Sequence, residues 1–416
     1  MIAFHYPPFG SGSGVHRTAA FSRYLPECGW QPIVLTANLK AYPQVEDKRN
    51  PDVLIDLPVK RAFALDAARH LSLRGSHPRW IALPDRWVSW WLGAVPVGLR
   101  LLRKYRPDLI WSTYPIATAH LIGLTLHRLT GIPWIADFRD PMTERDPLTG
   151  IEYPLDPVIR RVNGWIEGPV IKHCIQAVFT APGTLRMYSD RYPEIPQSRW
   201  AIIANGYDED NFVAVERAAV DHVSRNNRQE QIVLVHSGVL YPSARDPHAF
   251  FAAVAELRRL GKVSPSTLKI VLRASGHEDY YQPCLQENNI EDIVFLEPPV
   301  PYHQALAEML NVDGLLVFQA SNCNWQIPAK LYEYLRARRP ILALTDPGGD
   351  TAGVLKAADI DTITPLDSKE QIAQGLLNFL SKVRSGCAPI VRDKEIEHHS
   401  RKYRTYELAK LLDSVV

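Results

Sequence analysis

The segment QIPAKLYEYLRARRPILAL, residues 326–344, joins a helical pattern directly to a short apolar strand pattern. Pro328 suits the first turn of a helix, where a backbone N–H donor is not required. Lys330 and Glu333 lie three residues apart, a spacing that places a cation and a carboxylate on one helix face. The apolar run at 340–344 follows at once, so the segment predicts a helix that leads into a buried strand.

The same alternation of strand and helix patterns extends over the rest of the chain in both directions. Short runs rich in β-branched and apolar residues are each followed by a segment of helical length. These runs lie at 32–36, 108–113, 133–137 and 176–180 in the first half, and at 231–236, 268–274, 292–296, 313–318 and 340–344 in the second. Continuous apolar strands of this kind are typical of parallel sheets covered on both faces. The sequence therefore predicts the α/β class, with two doubly wound, Rossmann-like domains.

The chain length also favours two domains, because 416 residues exceed what one hydrophobic core usually organises. A polar stretch after Asn205 separates the two sets of strands and has the composition of a linker. The end of the chain is helical in pattern with no strand after it, so we expect it to pack back on the first domain. The predicted division is an N-terminal domain at 1–206, a linker at 207–230, a C-terminal domain at 231–393 and a terminal helix at 394–416.

Bulk composition argues against several classes of protein. The formal net charge of +2 gives no reason to expect a nucleic-acid partner. The five cysteines are scattered and never spaced as C-x-x-C, so neither a disulfide framework nor a zinc site is indicated. The opening residues lack the basic and long apolar segments of a signal peptide. We therefore expect a cytoplasmic protein.

The stretch WVSWWLGAVPVGLRLL, residues 87–102, is the most membrane-like part of the sequence, but its uncharged run is too short to span a bilayer. Two interpretations remain open. Its tryptophans could seat an amphipathic helix at a lipid interface, giving peripheral binding to the inner face of the cell membrane. Alternatively, they are core residues of a buried helix with a solvated basic end. The residues concerned are Trp87, Trp90, Trp91, Arg100, Arg103, Lys104 and Arg106.

A glycine-rich loop, PPFGSGSGVHR at 7–17, separates the first strand from the first helix. Glycines let backbone N–H groups approach an anion at a helix N-terminus, where the helix dipole also favours negative charge. We predict that Gly12, Ser13, Gly14 and Arg17 form a phosphate-binding or acceptor-binding loop. The alternative is a loop that is merely tight.

An acidic and basic cluster, WIADFRDP at 134–141, begins as a strand and ends at its carboxyl edge. In open α/β sheets that edge faces the ligand crevice. Asp137, Arg139 and Asp140 could hold sugar hydroxyls, position a general base or form an internal ion pair. These three alternatives stay open at the level of sequence.

Two segments of the second half carry groups that suit a nucleotide diphosphate. In HSGVLYPSARDP, Gly238 marks a turn after a strand, and Arg245 lies close to the start of the next helix, where a guanidinium can clamp phosphates. Lys330 would bind the diphosphate beside the helix dipole, and Glu333 would accept hydrogen bonds from ribose hydroxyls. A solvent-exposed salt bridge is the alternative for that lysine and glutamate.

Together, the glycine-rich opening, WIADFRDP, IIANGYDEDNF, HSGVLYPSARDP and PAKLYEYLRARRPILAL resemble the family 4 glycosyltransferases of GT-B architecture, especially bacterial members that build surface polysaccharides. The resemblance covers nearly the whole chain and implies two Rossmann-like domains that face a central cleft. It places Asn205 in a donor-binding interdomain hinge and Glu333 at the second glutamate of the E-x7-E motif. Two positions depart from the family, because Trp325 replaces the first glutamate and Val239 replaces a common arginine.

The resemblance also implies a chemistry. Such enzymes move a sugar from a nucleotide-sugar donor to a saccharide or polyprenyl-linked saccharide, retain the anomeric configuration, and need neither a cofactor nor a catalytic metal. Arg245 and Lys330 would stabilise the leaving diphosphate. Asp140 would polarise the acceptor hydroxyl, with Asp137 and Arg139 beside it. His120 is interpreted as a packing histidine.

Three other functions are alternatives to this one. A nucleotide-sugar epimerase would use the same scaffold without an acceptor site. A catalytically degenerate homologue that binds nucleotide-sugar is suggested by the missing first glutamate. An NAD-dependent oxidoreductase is disfavoured, because no G-x-G-x-x-G with a downstream acid follows a predicted strand.

Overall fold

The computed structural model describes residues 1–9, 13–43, 57–72, 76–146, 149–220 and 231–416. The chain divides into two compact units, the first formed by Met1–Asn205 and Arg401–Val416 and the second by Gly206–Ser400. Both units contain a sheet of parallel strands with helices between the strands. The predicted α/β class with two such domains is confirmed.

The elements of the first unit follow the predicted alternation. Its strands are β1 (Val34–Ala37), β2 (Val59–Ala62), β3 (Ile110–Thr113), β4 (Trp134–Arg139), β5 (Glu144–Arg145), β6 (Glu152–Tyr153), β7 (Gln176–Phe179) and β8 (Trp200–Ile202). Its helices include α1 (Ser13–Tyr24), α2 (Ala67–His70), α3 (Ser89–Tyr105), α4 (Ala117–Thr130), α5 (Pro157–His173) and α6 (Pro182–Arg191).

The first residues of the chain lie at the centre of the sheet of this unit. Parallel pairing orders four strands as β3-β4-β7-β8, and β1 pairs with β2. Ile2 forms parallel bridges to both Leu35 and Ser112, and thus joins β1 to β3. Its N–H donates to Trp111 O at 2.7 Å, while the N–H of Ala3 donates to Leu35 O at 3.1 Å. The strand order reverses at this point, and ligand crevices of open α/β sheets lie outside the carboxyl ends of such strands.

The tryptophans of the membrane-like stretch belong to the interior of the first unit. Trp90 is fully buried. Trp87 Nε1 donates to Ala41 O at 3.2 Å, and Trp91 Nε1 donates to Thr125 Oγ1 at 2.9 Å. Both of these rings pack partly buried against the main apolar core. This corrects the interpretation in which the three rings anchor a lipid interface, because Trp90 is buried and the indole N–H groups of Trp87 and Trp91 already have partners within the protein. Among the described helices, none is long and apolar enough to cross a membrane.

The second unit repeats the strand and helix alternation. Its strands are β9 (Ile232–Ser237), β10 (Leu268–Arg273), β11 (Val294–Glu297), β12 (Gly314–Gln319), β13 (Ile341–Thr345) and β14 (Ile363–Thr364). Its helices include α7 (Glu209–Val220), α8 (His248–Arg259), α9 (Glu278–Glu287), α10 (Tyr302–Leu310), α11 (Lys330–Ala337), α12 (Asp350–Ala357), α13 (Lys369–Arg384) and α14 (Asp393–Ile396).

The sheet of the second unit has the order β11-β10-β9-β12-β13-β14, and its strands are all parallel. Connections run outward in opposite directions from β9 and β12. Right-handed crossovers then place helices on both faces of the sheet. The strand order reverses between β9 and β12, so the crevice of this unit lies outside the carboxyl ends of those two strands.

The region predicted as a linker is a helix over much of its length. Residues 209–220 form α7, which belongs to the second unit. Arg336 of α11 holds this helix by donating from Nε to Glu209 at 2.7 Å and from Nη1 to Glu216 at 2.8 Å. The prediction was wrong here because the polar residues of α7 pair with a side chain that lies far away in the sequence. Residues 221–230 of the predicted linker lie outside the described residues.

The C-terminal helix, α15 (Arg401–Asp413), belongs to the first unit, where the sequence-based division also placed it. Its buried Leu408 and Leu412 share a core cluster with Phe21 and Leu25, which lie at α1 and just after it. The helix therefore covers one face of the first sheet. The unit boundary lies at Ser400 rather than near residue 393.

Candidate active-site residues of the two units

In the first unit, two of the predicted site residues form one buried ion pair. Arg17 Nε donates to Asp137 Oδ2 at 3.0 Å, and its Nη2 donates to Oδ1 at 2.9 Å. Their side chains are 4% and 0% exposed. Arg17 Nη1 also donates to Ala204 O at 3.0 Å, and Thr113 Oγ1 donates to Asp137 Oδ2 at 2.9 Å. This corrects the expectation that Arg17 contacts a phosphate and Asp137 the acceptor, because each satisfies the other within the protein.

Arg139 lies beneath the first turn of α1. It is buried, and its Nη1 donates to Tyr114 O at 3.2 Å. A Cβ atom on Gly14 would lie only 2.3 Å from this Nη1, so a side chain at that position would force the guanidinium to shift. The backbone of Arg139 adopts a φ of 56°, and the carbonyl of Arg139 accepts a hydrogen bond from Thr180 Oγ1 at 2.8 Å. Burial lowers the pKa of Arg139, while Asp140 and then Asp137 oppose that shift.

Asp140 follows directly and is exposed to solvent at the carboxyl end of β4. Of the three residues predicted in this cluster, it is the one whose carboxylate faces outward and is accessible to a ligand. Ser13 begins α1, whereas Gly12 lies outside the described residues. Asn205 is half-buried and is the last residue of the first stretch of this unit.

Two histidines of the first unit are neutral: His120, which is buried, and His5, which is half-buried. Burial lowers the pKa of His120 to about 3, and its Nδ1 lies 2.8 Å from Ser112 Oγ. The ring also packs 4.9 Å from the ring of Phe138, between centroids, as expected for a packing histidine. Burial, and then the charge of Arg139, lower the pKa of His5 to about 4. His5 escaped the sequence reasoning because it lies in the short opening strand pattern.

In the second unit, Lys330 and Gly238 meet at the crevice between β9 and β12. Lys330 is the first residue of α11, and its Nζ lies 3.1 Å from His236 Nε2. A Cβ atom on Gly238 would lie 2.6 Å from that Nζ, and the glycine has a φ of 113°. The positive φ favours glycine at this turn, and a side chain here would force the ammonium to move.

His236 contacts the ammonium of Lys330 and orients it. Its Nδ1 lies 2.9 Å from Leu316 O, which accepts the ring proton, so Nε2 carries the lone pair that faces Lys330. Burial, and then the charge of Lys330, lower the pKa of His236 well below its usual value. Burial and Arg245 lower the pKa of Lys330 to about 7, whereas Glu333 raises it. The lysine is therefore a cation whose charge is poorly compensated by the protein alone.

Arg245 and Glu333 are each oriented by a neutral side chain. Arg245 Nε donates to Gln319 Oε1 at 3.2 Å, and Gln319 Nε2 in turn donates to Cys323 O at 2.9 Å. Tyr302 OH donates to Glu333 Oε1 at 2.8 Å. The structure thus places an arginine, a lysine and a carboxylate around the ends of β9 and β12, an arrangement suited to a diphosphate and a ribose.

Comparison with known families bears on this geometry. Residues 12–206 match the family described as "Glycosyl transferase 4-like domain". The first domain of this chain is therefore similar to glycosyl transferase 4-like domains. Among the curated proteins, none matches the chain in sequence.

Solved structures of low sequence identity share the fold of this protein over its full length. Sucrose-phosphate synthase from Thermosynechococcus elongatus has 14% identity and a TM-score of 0.66, with 100% of this chain and 98% of that chain covered. HepE of Anabaena, in complex with UDP-glucose, has 12% identity and a TM-score of 0.57, with 99% of each chain covered. WaaG, a glycosyltransferase involved in lipopolysaccharide biosynthesis, has 14% identity and a TM-score of 0.62, also with 99% of each covered. The predicted GT-B fold is confirmed.

Several residues touch the predicted site but were not predicted as site residues from the sequence. His236 interrupts an apolar strand, which is a signal that sequence reasoning could have used. Tyr302 and Gln319 carry no such signal, since each lies in an ordinary amphipathic helix or apolar strand and reaches its partner only through the fold.

Proposed function

We propose that this protein is a glycosyltransferase that transfers a sugar from a nucleotide-sugar to a saccharide acceptor, with retention of anomeric configuration and without a catalytic metal. The donor diphosphate binds at Lys330 and Arg245, and Glu333 binds the ribose. Retention and metal independence follow from the resemblance to family 4 enzymes.

The observation that carries the proposal is the cation held at the end of β9. Lys330 is packed against His236 and the bare backbone of Gly238, in a place where burial opposes its charge. A dianionic diphosphate would supply the missing compensation, and the positive end of the helix dipole at the N-terminus of α11 would bind the same anion. The neighbour HepE was crystallised with UDP-glucose, which supports a nucleotide-sugar as the donor class.

In the reaction, Arg245 and Lys330 stabilise the negative charge that develops on the diphosphate as the sugar leaves. Asp140, exposed at the end of β4, polarises the acceptor hydroxyl. Arg139 lies next to it in the chain, and the buried pair of Arg17 and Asp137 supports the loop that carries both. Arg17 and Asp137 therefore act through position rather than by touching substrate.

The acceptor that we propose is a lipid-linked saccharide, used in surface polysaccharide synthesis and reached at a membrane surface. All four basic side chains at the end of α3 are exposed, and each adds about 1 kcal/mol near an anionic bilayer. The relation to WaaG, which is involved in lipopolysaccharide biosynthesis, agrees with this acceptor class.

Co-sedimentation with anionic liposomes tests the membrane part. The wild type should pellet, and a variant with glutamines at the basic positions of α3 should stay in the supernatant. A control that loses the same charge elsewhere should pellet like the wild type, and equal partitioning of all three proteins would contradict the proposal. The basic positions are Arg100, Arg103 and Lys104 of α3 and Arg106 directly after it, and the exposed control positions are Lys40, Lys60, Lys262 and Arg384.

A thermal-shift screen with UDP, GDP, ADP and dTDP sugars tests the donor site, because a ligand at 100 times its dissociation constant adds about 2.7 kcal/mol of stability. Product analysis with the stabilising donor then separates the alternatives. Transfer to a saccharide supports the proposal, conversion of the donor to another nucleotide-sugar would indicate an epimerase, and binding without turnover would indicate a degenerate homologue.

A further inference from the structure

Outside the predicted donor and acceptor residues, an aspartate, a histidine and a cysteine of the second unit form a linear hydrogen-bonded cluster. His248 is the first residue of α8, and its Nδ1 pairs with Asp246 Oδ1. Its Nε2 lies 2.9 Å from the Sγ of Cys284 in α9. Because Asp246 accepts the Nδ1 proton, Nε2 presents its lone pair to the thiol. We call Asp246, His248 and Cys284 the thiol cluster.

Local packing holds the imidazole in this orientation. The backbone N–H of His248 donates to Asp246 Oδ1 at 3.0 Å, so the same carboxylate fixes both the start of the helix and the ring. Tyr280 packs edge-on against the imidazole with 5.3 Å between centroids, and Phe251 lies at 6.4 Å. The ring is therefore confined between Asp246 and Cys284.

A cavity of about 540 Å³ gives small molecules access to the cluster. Asp246 and His248 line it, together with the loop at 242–244 and the residues that follow β12. The side chains of His248 and Asp246 are 41% and 39% exposed, and Cys284 is partly exposed. Cys284 does not line this cavity, and a reagent of the size of a hydroperoxide reaches the sulfur through the exposed part of the cysteine itself.

The resting sulfur is a thiol rather than a thiolate. Burial raises the pKa of Cys284, and the charges of Glu287 and Asp246 raise it further. Reaction of this sulfur as a nucleophile therefore requires a base that removes its proton as the new bond forms. His248 is placed for that role, and Asp246 would stabilise the resulting imidazolium as in other triads.

We propose that Cys284 is a base-activated thiol and a site of oxidation by hydroperoxides. The sulfur attacks one oxygen of the peroxide, and the thiol proton passes to His248 Nε2 as the O–O bond breaks. The imidazolium returns the proton to the departing hydroxide or alkoxide. The products are a cysteine sulfenic acid and water or an alcohol, so sulfur loses two electrons and the peroxide gains them.

The chain contains its own control for this proposal in Cys387, which is exposed and contacts the carbonyl of Ser385 at 3.6 Å. Accessibility alone predicts that Cys387 reacts faster, whereas base activation predicts the reverse. Brief treatment with dilute hydrogen peroxide, trapping with a sulfenic-acid reagent and peptide mass spectrometry measures both rates in one sample. At neutral pH we expect Cys284 to react at least about tenfold faster than Cys387.

Two variants separate activation from exposure. His248→Gln should lower the Cys284 rate to that of Cys387 or below, with the Cys387 rate and the melting temperature unchanged. Asp246→Asn keeps the shape of the cluster, removes the carboxylate charge and should slow Cys284 several-fold, and it serves if His248→Gln fails to fold. The proposal is overturned if Cys284 reacts no faster than Cys387 in the wild type. It is also overturned if Cys284 reacts as fast in a folded His248→Gln or Asp246→Asn protein as in the wild type.

Oxidation of Cys284 should also reach the donor site, because Asp246 is the next residue after Arg245. This coupling rests on the proposed function, whereas the reactivity of the thiol does not. Peroxide-treated wild type should bind UDP-glucose at least about threefold more weakly than untreated protein, and Cys284→Ser should be insensitive to treatment. Unchanged affinity of the oxidised wild type contradicts the coupling, while an untreated protein that binds no nucleotide-sugar contradicts the donor site instead.

Discussion

Binding of UDP-glucose should weaken as the pH rises through about 7, because the ammonium of Lys330 is lost in that range. Burial and the nearby Arg245 lower the pKa of Lys330 to about 7 in the free protein. The lysine is a cation below that pH and neutral above it. The diphosphate of a nucleotide-sugar is a diester whose charge does not change over this range, and it needs the ammonium. Above pH 7 the complex therefore forms only with uptake of a proton.

The size of the effect follows from the distance between the assay pH and the pKa of Lys330. At pH 9 only about one free molecule in 100 carries the ammonium, which costs about 2.7 kcal/mol of binding free energy. The dissociation constant should thus be about 100-fold higher at pH 9 than at pH 6. His236 does not contribute, because its pKa is far below this range and it stays neutral throughout.

Calorimetric titrations at pH 6, 7, 8 and 9, in buffers of different ionisation enthalpy, measure both the affinity and the proton uptake. The matched control is Lys330→Met, which keeps the apolar stem without the charge and should bind weakly but with no pH dependence. Equal affinity of the wild type across this range would refute the reasoning, as would the same slope in Lys330→Met, since either result places the titrating group elsewhere.

Four further outcomes are expected. Glu333→Ala should weaken nucleotide-sugar binding by about 1.5–3 kcal/mol in calorimetry, whereas Tyr302→Phe should cost less, because it only removes the group that orients the carboxylate; wild-type affinity in a folded Glu333→Ala protein would argue against the ribose role. Asp137→Ala should lower the unfolding free energy of the first unit by about 3–5 kcal/mol in urea titrations, since it leaves Arg17 buried without its partner. A double variant with leucine at Asp137 and methionine at Arg17 should lose less, and an equal or larger loss would contradict this account. Gly238→Ala should abolish donor binding with a folded second unit, because the new Cβ would displace the lysine ammonium; retained affinity would mean that the ammonium does not lie there during binding. Transfer activity should be unaffected by EDTA, and activity that EDTA removes and Mn²⁺ or Mg²⁺ restores would show that a metal takes part.

The α/β class, the two sets of strands and the residues at the end of β9 and the start of α11 could all be predicted from the sequence. These features depend on local chemistry, because the strand period, the helix spacing and the glycine turn are properties of neighbouring residues. Strands β2, β8 and β14 were not predicted. Each is only two to four residues long and lies toward the edge of its sheet, so the apolar signal of a buried strand is weak.

The tertiary structure alone decided which polar groups serve the fold and which can serve a ligand. Arg17 and Asp137 are 120 residues apart, and His236 and Lys330 are 94 apart, so no local pattern links them. The same holds for α7, whose acidic residues resemble those of a linker in the sequence. Only the fold brings Arg336 against them. The sequence gives the same signal for a charged residue whether its side chain forms a buried ion pair or faces solvent. The difference arises from desolvation and from the partner that the topology supplies, and both exist only after the chain has folded.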